Sequence, residues 1–125
     1  MIEGVGLDLV HVHRIRKALE RFGNRFLERI FTDFERSFCL ARPDPPACFA
    51  LRFAAKEAFS KALGVGMRQG LRWRDMEVIP LPTGQPTLRT YGKAALLLEE
   101  RGIAHIFLSL SDDGDYAGAV VILER

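Results

Sequence analysis

Residues Arg52–Gly64 read RFAAKEAFSKALG, and this stretch decides how the chain folds. No proline or glycine interrupts it before its last residue, and alanine, leucine, lysine and glutamate all favour helices. At about 100° per residue, the small and apolar side chains gather on one side of the predicted helix. That side can pack closely against another element. Its members are Leu51, Ala55, Ala58, Phe59 and Ala62.

The same helix carries a polar stripe formed by Glu57, Ser60, Lys61 and Gly64. A carboxylate can hold a divalent cation through oxygen, and a lysine one turn later can hold a phosphate. A glycine at the end leaves the main chain open to a ligand. The alternative is a solvent-facing helix stabilised by a Glu57–Lys61 pair at (i, i+4) spacing. The helix alone does not decide between them.

A second informative segment, Ile2–Val10, predicts a buried strand at the amino terminus. Alternation puts Val5, Leu7 and Leu9 on one face and Asp8, behind two glycines, on the other. A carboxylate inside a strand is costly unless something pairs with it. We therefore expect either a basic side chain or a metal beside Asp8, the alternative being that this carboxylate caps the following helix.

Together the two segments resemble the holo-acyl-carrier-protein synthase family, the small trimeric class of 4′-phosphopantetheinyl transferases. The family pattern Gly-x-Gly-x-Asp-(Ile/Leu)-Val stands here as Gly4–Val10 and is followed by Arg14-Ile15. The second pattern, Arg-Phe-Ala-x-Lys-Glu-Ala-x-x-Lys-Ala-x-Gly, stands as Arg52–Gly64. The likeness extends over nearly the whole chain. It continues through Gly66, Trp73–Val78, Gly84–Pro86, Leu108–Asp112 and Tyr116–Glu124.

The order of predicted elements is that of an α+β protein with a mostly antiparallel sheet. The resemblance implies that this sheet wraps around a long central helix, and that residues 1–125 form a single domain of the 4′-phosphopantetheinyl transferase fold. The predicted helices span residues 11–22, 24–29, 33–42, 47–64 and 91–101. Thr32 and Asp33 are predicted to form the N-cap region of the third helix, with Glu35 in its first turn. The predicted strands span residues 2–10, 76–80, 86–90, 106–111 and 116–123.

Composition sets broad limits on the kind of protein. The chain has 125 residues and a net charge of +2, and it contains neither a long apolar run nor a signal-peptide pattern. We therefore expect a soluble, cytoplasmic protein without a membrane partner. The two cysteines, Cys39 and Cys48, lack the spacing of a metal site and are predicted to be free thiols packed as small hydrophobic residues.

The first predicted helix has a basic stripe of Arg14, Lys17 and Arg21, which Arg25 extends. One interpretation is a solvated helix face, and another is a docking surface for an acidic partner. Nucleic acid is disfavoured as that partner because the chain is not strongly basic and carries no nucleic-acid-binding motif. The family resemblance implies instead that apo acyl carrier protein docks on Arg14, Arg21 and Arg25.

The resemblance also implies an activity. The 4′-phosphopantetheine group of coenzyme A is transferred to a serine of apo acyl carrier protein, which releases adenosine 3′,5′-bisphosphate. This reaction belongs to fatty acid biosynthesis, and the implied enzyme is a homotrimer with three sites between neighbouring subunits.

The implied site residues suit that chemistry, because phosphoryl transfer depends on positioning and charge neutralisation. Asp8 and Glu57 would share one Mg²⁺, Lys61 would hold the phosphates, and Arg52 would engage the 3′-phosphate. The serine proton could go to Glu57, to a metal-bound water or to Asp8, and the sequence does not choose. Further contacts to coenzyme A are expected from Gly64, Gly84, Pro86 and Ser109.

Three positions depart from the common family pattern. His11 replaces a glutamate, Gln85 replaces the lysine of a Gly-Lys-Pro turn, and Phe107 replaces a histidine two residues before the late-strand serine. None of these changes removes a carboxylate or Lys61. The alternatives to the transferase are a non-catalytic coenzyme A-binding trimer, a basic nucleic-acid-binding module, and a larger transferase type that the short chain disfavours.

Overall fold

The computed structural model describes residues 1–125, apart from the side chain of Arg68. The helices are α1 (Val12–Phe22), α2 (Asn24–Ile30), α3 (Asp33–Leu40), α4 (Pro45–Leu63) and α5 (Gly92–Glu100). The strands are β1 (Ile2–His11), β2 (Met76–Pro80), β3 (Pro86–Thr90), β4 (His105–Asp113) and β5 (Tyr116–Glu124). Two short 3₁₀ turns, Met67–Gln69 and Trp73–Asp75, lie between α4 and β2.

The strands form two antiparallel sheets, one of three strands in the order β1-β5-β4 and one pairing β2 with β3. Helix α4 packs on one face of the larger sheet and also touches β2, so the strands surround the longest helix. The predicted α+β architecture is confirmed. No helix among the described residues is long and apolar enough to cross a membrane.

The contact between β1 and α4 is closer than side chains would permit. A Cβ atom built on Gly4 would lie 2.1 Å from the carbonyl oxygen of Ala62, and one built on Gly6 would lie 1.8 Å from that of Ala58. The glycines of the strand and the alanines of the helix therefore allow two backbones to meet directly. Asp8 is the next residue on this face of the strand and is held beside the helix.

The prediction of a buried strand holds for the helix side of β1 and is wrong for its apolar face in the single chain. Val10, on the helix side, is 1% exposed, whereas Val5, Leu7 and Leu9 are 59%, 67% and 65% exposed. Helix α4 covers only the glycine face, and no other element of the described chain covers the apolar one.

A buried ion pair connects α4 with α3 and β2, on the side of α4 away from β1. The Lys56 ammonium donates hydrogen bonds to Glu35 Oε1 at 2.6 Å and to the carbonyl oxygen of Ile30 at 2.7 Å. Both charged side chains are fully buried. Glu35 also accepts the backbone N–H groups of Thr32 and Val78, at 2.9 and 2.8 Å. The Thr32–Glu35 contacts form the capping box that starts α3, in the region where the sequence predicted a helix N-cap.

The cysteines are paired in the structure, which corrects the prediction of two free thiols. Cys39 in α3 and Cys48 in α4 form a disulfide with Cα atoms 5.4 Å apart. The segment 41–44 between the helices folds the start of α4 back onto the end of α3. A spacing of nine residues does not reveal this proximity unless the turn is known. In a reducing cytoplasm, two cysteines this close would remain an adjacent dithiol until oxidised.

Substituting Glu35→Ala should destabilise the fold strongly, because it leaves the Lys56 ammonium buried without a counter-charge. We expect the free energy of unfolding to fall by about 3–5 kcal/mol, as measured by urea denaturation. Asp33→Ala is the matched control, because it breaks an exposed pair with Arg36 in the same helix and should cost less than about 1 kcal/mol. Equal losses in the two variants would show that the buried pair does not hold α4 in place.

Candidate active site

Asp8 has a basic partner, as one of the sequence alternatives required. Lys61 Nζ lies 3.0 Å from Asp8 Oδ1 and also donates to the carbonyl oxygen of Leu7 at 3.0 Å. The Asp8 side chain is 15% exposed and that of Lys61 is 53% exposed, so the pair sits at the edge of solvent. The capping alternative is wrong, because His11 is the N-cap residue of α1 and its side chain accepts the N–H of His13.

Glu57 lies one helical turn before Lys61 on α4 and faces the same pair. Burial raises the pKa of the Glu57 carboxyl above its ordinary value, and the negative charge of Asp8 raises it further. The charges of Lys61 and Arg14 act in the opposite direction. The structure thus brings together the three predicted residues Asp8, Glu57 and Lys61, with two carboxylates close enough to repel each other.

This donor set fits a hard divalent cation. The part of the chain that the structure describes has no group of three or more histidine, cysteine, aspartate or glutamate residues arranged for a metal. Magnesium, however, is usually held by only one or two carboxylates together with substrate phosphates and water. Asp8 and Glu57 supply two carboxylates, and a cation between them would relieve their repulsion.

A second group of predicted residues meets in a cleft of about 480 Å³ on another side of α4. Arg52, Gly84 and Pro86 all line it, as the predicted nucleotide contacts require. Sequence reasoning missed the other side chains of this cleft. They are Phe38, Arg42, Cys48, Leu51, Pro80 and Leu110.

Two guanidinium groups converge in this cleft. Those of Arg42 and Arg52 lie over the ring of Phe38, 4.3 and 4.7 Å from its centre. Arg52 is 8% exposed, and its Nε atom has no hydrogen-bond partner among the described residues. Burial lowers the pKa of Arg52, the charge of Glu35 raises it, and that of Arg42 lowers it again. Two cations and an unpaired buried donor mark a place for an anion.

The carboxylate cluster and the cleft that contains Arg52 lie on different sides of α4 within one chain. Arg52 and Glu57 are five positions apart on α4, which turns their side chains about 140° away from each other. Gly64 ends the helix in the left-handed region, with φ of 73° and no atom within 4 Å of a built Cβ. Ser109 lies on the exposed face of β4 and lines a shallow depression with Leu7, Asp8 and Leu9.

The basic stripe of α1 is exposed as predicted. Arg14, Lys17 and Arg21 line a depression of about 530 Å³, and Arg25 lines the next one along the surface. None of the three predicted docking arginines lies within 4.0 Å of a carboxylate in the described part of the chain. Their charges are therefore open to a partner.

Comparisons with known proteins agree with this arrangement. The family model described as the 4′-phosphopantetheinyl transferase superfamily matches residues 4–121. A holo-[acyl-carrier-protein] synthase from Syntrophotalea carbinolica is 54% identical over 98% of this chain and 96% of its own. The crystal structure of a holo-[acyl-carrier-protein] synthase from Neisseria meningitidis is 39% identical, has a TM-score of 0.91 and covers all of both chains.

A third similar protein is a holo-[acyl-carrier-protein] synthase from Helicobacter pylori, whose crystal structure is a complex with coenzyme A. It is 32% identical, with a TM-score of 0.85 over 96% of this chain and 99% of its own. Family match, sequence identity and fold agree over nearly the full length of the chain. This chain therefore belongs to the holo-[acyl-carrier-protein] synthases of the 4′-phosphopantetheinyl transferase superfamily.

Proposed function

We propose that this protein transfers the 4′-phosphopantetheine group of coenzyme A to a serine of apo acyl carrier protein, as a magnesium-dependent enzyme. The observation that carries the proposal is the cluster of Asp8, Glu57 and Lys61, which lies where β1 meets α4. The similarity to named synthases supports the substrate pair. By the same resemblance, we place the reaction in fatty acid biosynthesis in the cytoplasm.

The reaction forms a bond between the serine oxygen and the phosphorus that carries pantetheine. The bond from that phosphorus to the bridging pyrophosphate oxygen breaks, and adenosine 3′,5′-bisphosphate leaves. Asp8 and Glu57 would hold Mg²⁺, which would supply positive charge to the pyrophosphate oxygens. Lys61 adds a mobile point charge to the same phosphates.

The attacking serine must lose a proton as its oxygen bonds to phosphorus. Glu57 lies beside Asp8 and Lys61, and Mg²⁺ held by its carboxylate would lower its pKa. The choice of proton acceptor therefore rests on geometry. Asp8 has its Oδ1 atom engaged by Lys61 at 3.0 Å. We therefore favour Glu57 Oε as the acceptor within this cluster.

The cleft on the other side of α4 suits the nucleotide end of coenzyme A. Arg42 and Arg52 would hold the 3′-phosphate between them, while Gly84 and Pro86 border the nucleotide from the β2–β3 turn. Because Gln85 stands where the family pattern has lysine, this turn carries one positive charge fewer. Arg42, in the same cleft, supplies a cation that offsets its loss.

The positions of the carboxylate cluster and the arginine pair support an assembly in which subunits share sites. The outer face of the large sheet exposes Val5, Leu7, Leu9 and Phe107, an apolar surface that is costly in water. Neighbouring subunits packed on this face would remove it from water. They would also let the carboxylates of one subunit meet the arginine pair of the next, which a single chain keeps apart. We therefore propose a homotrimer with sites between subunits, and place Ser109 at that boundary.

The partner is proposed to approach along α1. Arg14 lies close enough to Glu57 to lower its pKa, so the basic stripe begins beside the reacting centre. An acidic carrier protein bound on Arg14, Arg21 and Arg25 would be attracted by charge and would present its serine nearby.

Removing either carboxylate should abolish most transfer. We expect Asp8→Asn and Glu57→Gln to lower kcat by about 10²-fold or more, the size seen when one electrostatic contact in a transition state is lost. The assay mixes protein, coenzyme A, Mg²⁺ and apo carrier protein, and follows the added phosphopantetheine by mass spectrometry. Glu99→Gln, at the exposed end of α5, is the matched control. Turnover that persists in both variants, or in excess chelator, would contradict the assignment.

Arg52→Ala should distinguish coenzyme A from its 3′-dephospho form. Losing a charged contact to the 3′-phosphate should weaken coenzyme A binding by about 1.5–3 kcal/mol and leave 3′-dephospho-coenzyme A nearly unaffected. Binding of both ligands is measured by calorimetry. Arg125→Ala, on an exposed arginine at the carboxy terminus, is the control. Equal weakening of both ligands would place the 3′-phosphate elsewhere.

Leu9→Asp should dissociate the trimer, because it puts a charge on the apolar sheet face. Leu40→Asp replaces a leucine that is also exposed, at 57% against 65% for Leu9, but lies in α3 away from that face. Light scattering should give a monomer for the first variant and a trimer for the second. A wild-type protein that is monomeric while fully active would overturn the shared-site arrangement.

A further inference from the structure

A cleft of about 670 Å³ lies between the end of α2, the start of α3 and the two 3₁₀ turns. Its rim carries Arg29, Arg72 and Arg74, and Leu71 and Trp73 give it an apolar lining. We call these five residues the arginine cleft. Arginine and aromatic side chains around an apolar centre are the composition typical of protein interfaces.

Three arginines and two nearby carboxylates leave the arginine cleft with a net positive charge. Arg74 lies 3.7 Å from Asp33, and Asp75 lines the cleft while accepting the backbone N–H of Arg72 at 3.4 Å. The side chains of Arg29 and Arg72 have no carboxylate within 4.0 Å in the described part of the chain. The cleft therefore suits an occupant that is acidic and presents apolar groups.

The arginine cleft is continuous with the basic stripe of α1. A depression of about 260 Å³ between them is lined by Phe22, Arg25, Phe26 and Arg29. It shares Phe22 with the depression on α1 and Arg29 with the arginine cleft. One partner could therefore contact cations from the start of α1 to the second 3₁₀ turn without crossing a gap.

The arginine cleft also lies near the proposed reacting centre. The Trp73 ring stacks on that of Phe53, with centroids 5.0 Å apart. Phe53 precedes Glu57 by one turn of α4, so the two side chains share a face of the helix. A protein whose serine reaches Glu57 would pass over this neighbourhood.

We propose that the arginine cleft is a second docking site for the acidic carrier protein, distinct from the stripe on α1. This inference rests on the proposed function, because it assigns a further contact to the same partner. Acidic side chains of the carrier would meet Arg29, Arg72 and Arg74, and an apolar side chain would pack on Leu71 and Trp73. Two contact regions would fix the carrier's orientation, which a single stripe leaves free to rotate.

The test compares Michaelis constants in three charge-reversed proteins. Arg72→Glu/Arg74→Glu and, separately, Arg29→Glu should each raise KM for apo carrier protein about fivefold or more. KM for coenzyme A and kcat at saturating carrier should stay at wild-type values, which also shows that the variants fold. The control is Arg125→Glu. Arg125 lines neither the arginine cleft nor the depressions along α1, so the two KM values should stay unchanged.

Three outcomes would overturn the inference. One is an unchanged KM for the carrier in both variants, and another is a rise in KM for coenzyme A instead. Loss of binding to a single-stranded oligonucleotide, with carrier kinetics unchanged, would also overturn it by assigning the cleft to nucleic acid. Arg14→Glu distinguishes failure of the second docking site from failure of the proposed transferase function. If wild type modifies the carrier and Arg14→Glu raises its KM while the cleft variants do not, only this inference fails. If wild type does not modify the carrier, the proposed function fails.

Discussion

Direct backbone contact between β1 and α4 sets the positions of the residues in the candidate site. Gly4 and Gly6 permit this contact, because any side chain there would overlap the carbonyl oxygens of Ala62 and Ala58. The strand and helix are thereby fixed at one separation and one register. Asp8 follows the glycines on the same strand face, so it lies within 3.0 Å of Lys61 and close enough to Glu57 to affect its pKa. The cluster of Asp8, Glu57 and Lys61 is a consequence of that packing.

The same contact explains why a single chain leaves one apolar face of its large sheet uncovered. A helix that lies flat on the glycine face leaves the other face of the sheet bare, with Leu7 and Leu9 about two-thirds exposed. The buried Lys56–Glu35 pair fixes α4 from its opposite side, through α3 and β2. The Arg42 and Arg52 guanidiniums are consequently held on a side of α4 away from Glu57. Neighbouring subunits would bury the bare face and complete the site together.

Local patterns predicted a large part of this arrangement. The helix through Arg52–Gly64, the strand that carries Asp8, the N-cap region at Thr32 and the stripe on α1 all depend on residues near one another in sequence, which short-range rules describe well. The pairing of these patterns also indicated the family. A basic side chain or a metal was expected beside Asp8 because a buried carboxylate needs a partner, and the structure places Lys61 there.

Features that depend on long-range contacts could not be predicted in this way. Nothing in the local sequence marks Lys56 as buried, and only the packing of α3 shows that it pairs with Glu35 in the interior. Arg42 lies in the cleft beside Arg52, and Cys39 lies beside Cys48, because the segment 41–44 reverses the chain between α3 and α4. The arginine cleft likewise joins side chains from α2 to those of a distant 3₁₀ turn.

We propose that packing of β1 on α4 builds half of a site whose other half comes from a neighbouring subunit. The decisive measurement is a crystal structure with adenosine 3′,5′-bisphosphate and Mn²⁺, which replaces Mg²⁺ and gives an anomalous signal. We expect one anomalous peak between Asp8 and Glu57 of each subunit, with the 3′-phosphate of the same nucleotide between Arg42 and Arg52 of the adjacent subunit. A peak away from the two carboxylates, or a nucleotide bound wholly within one subunit, would contradict the account.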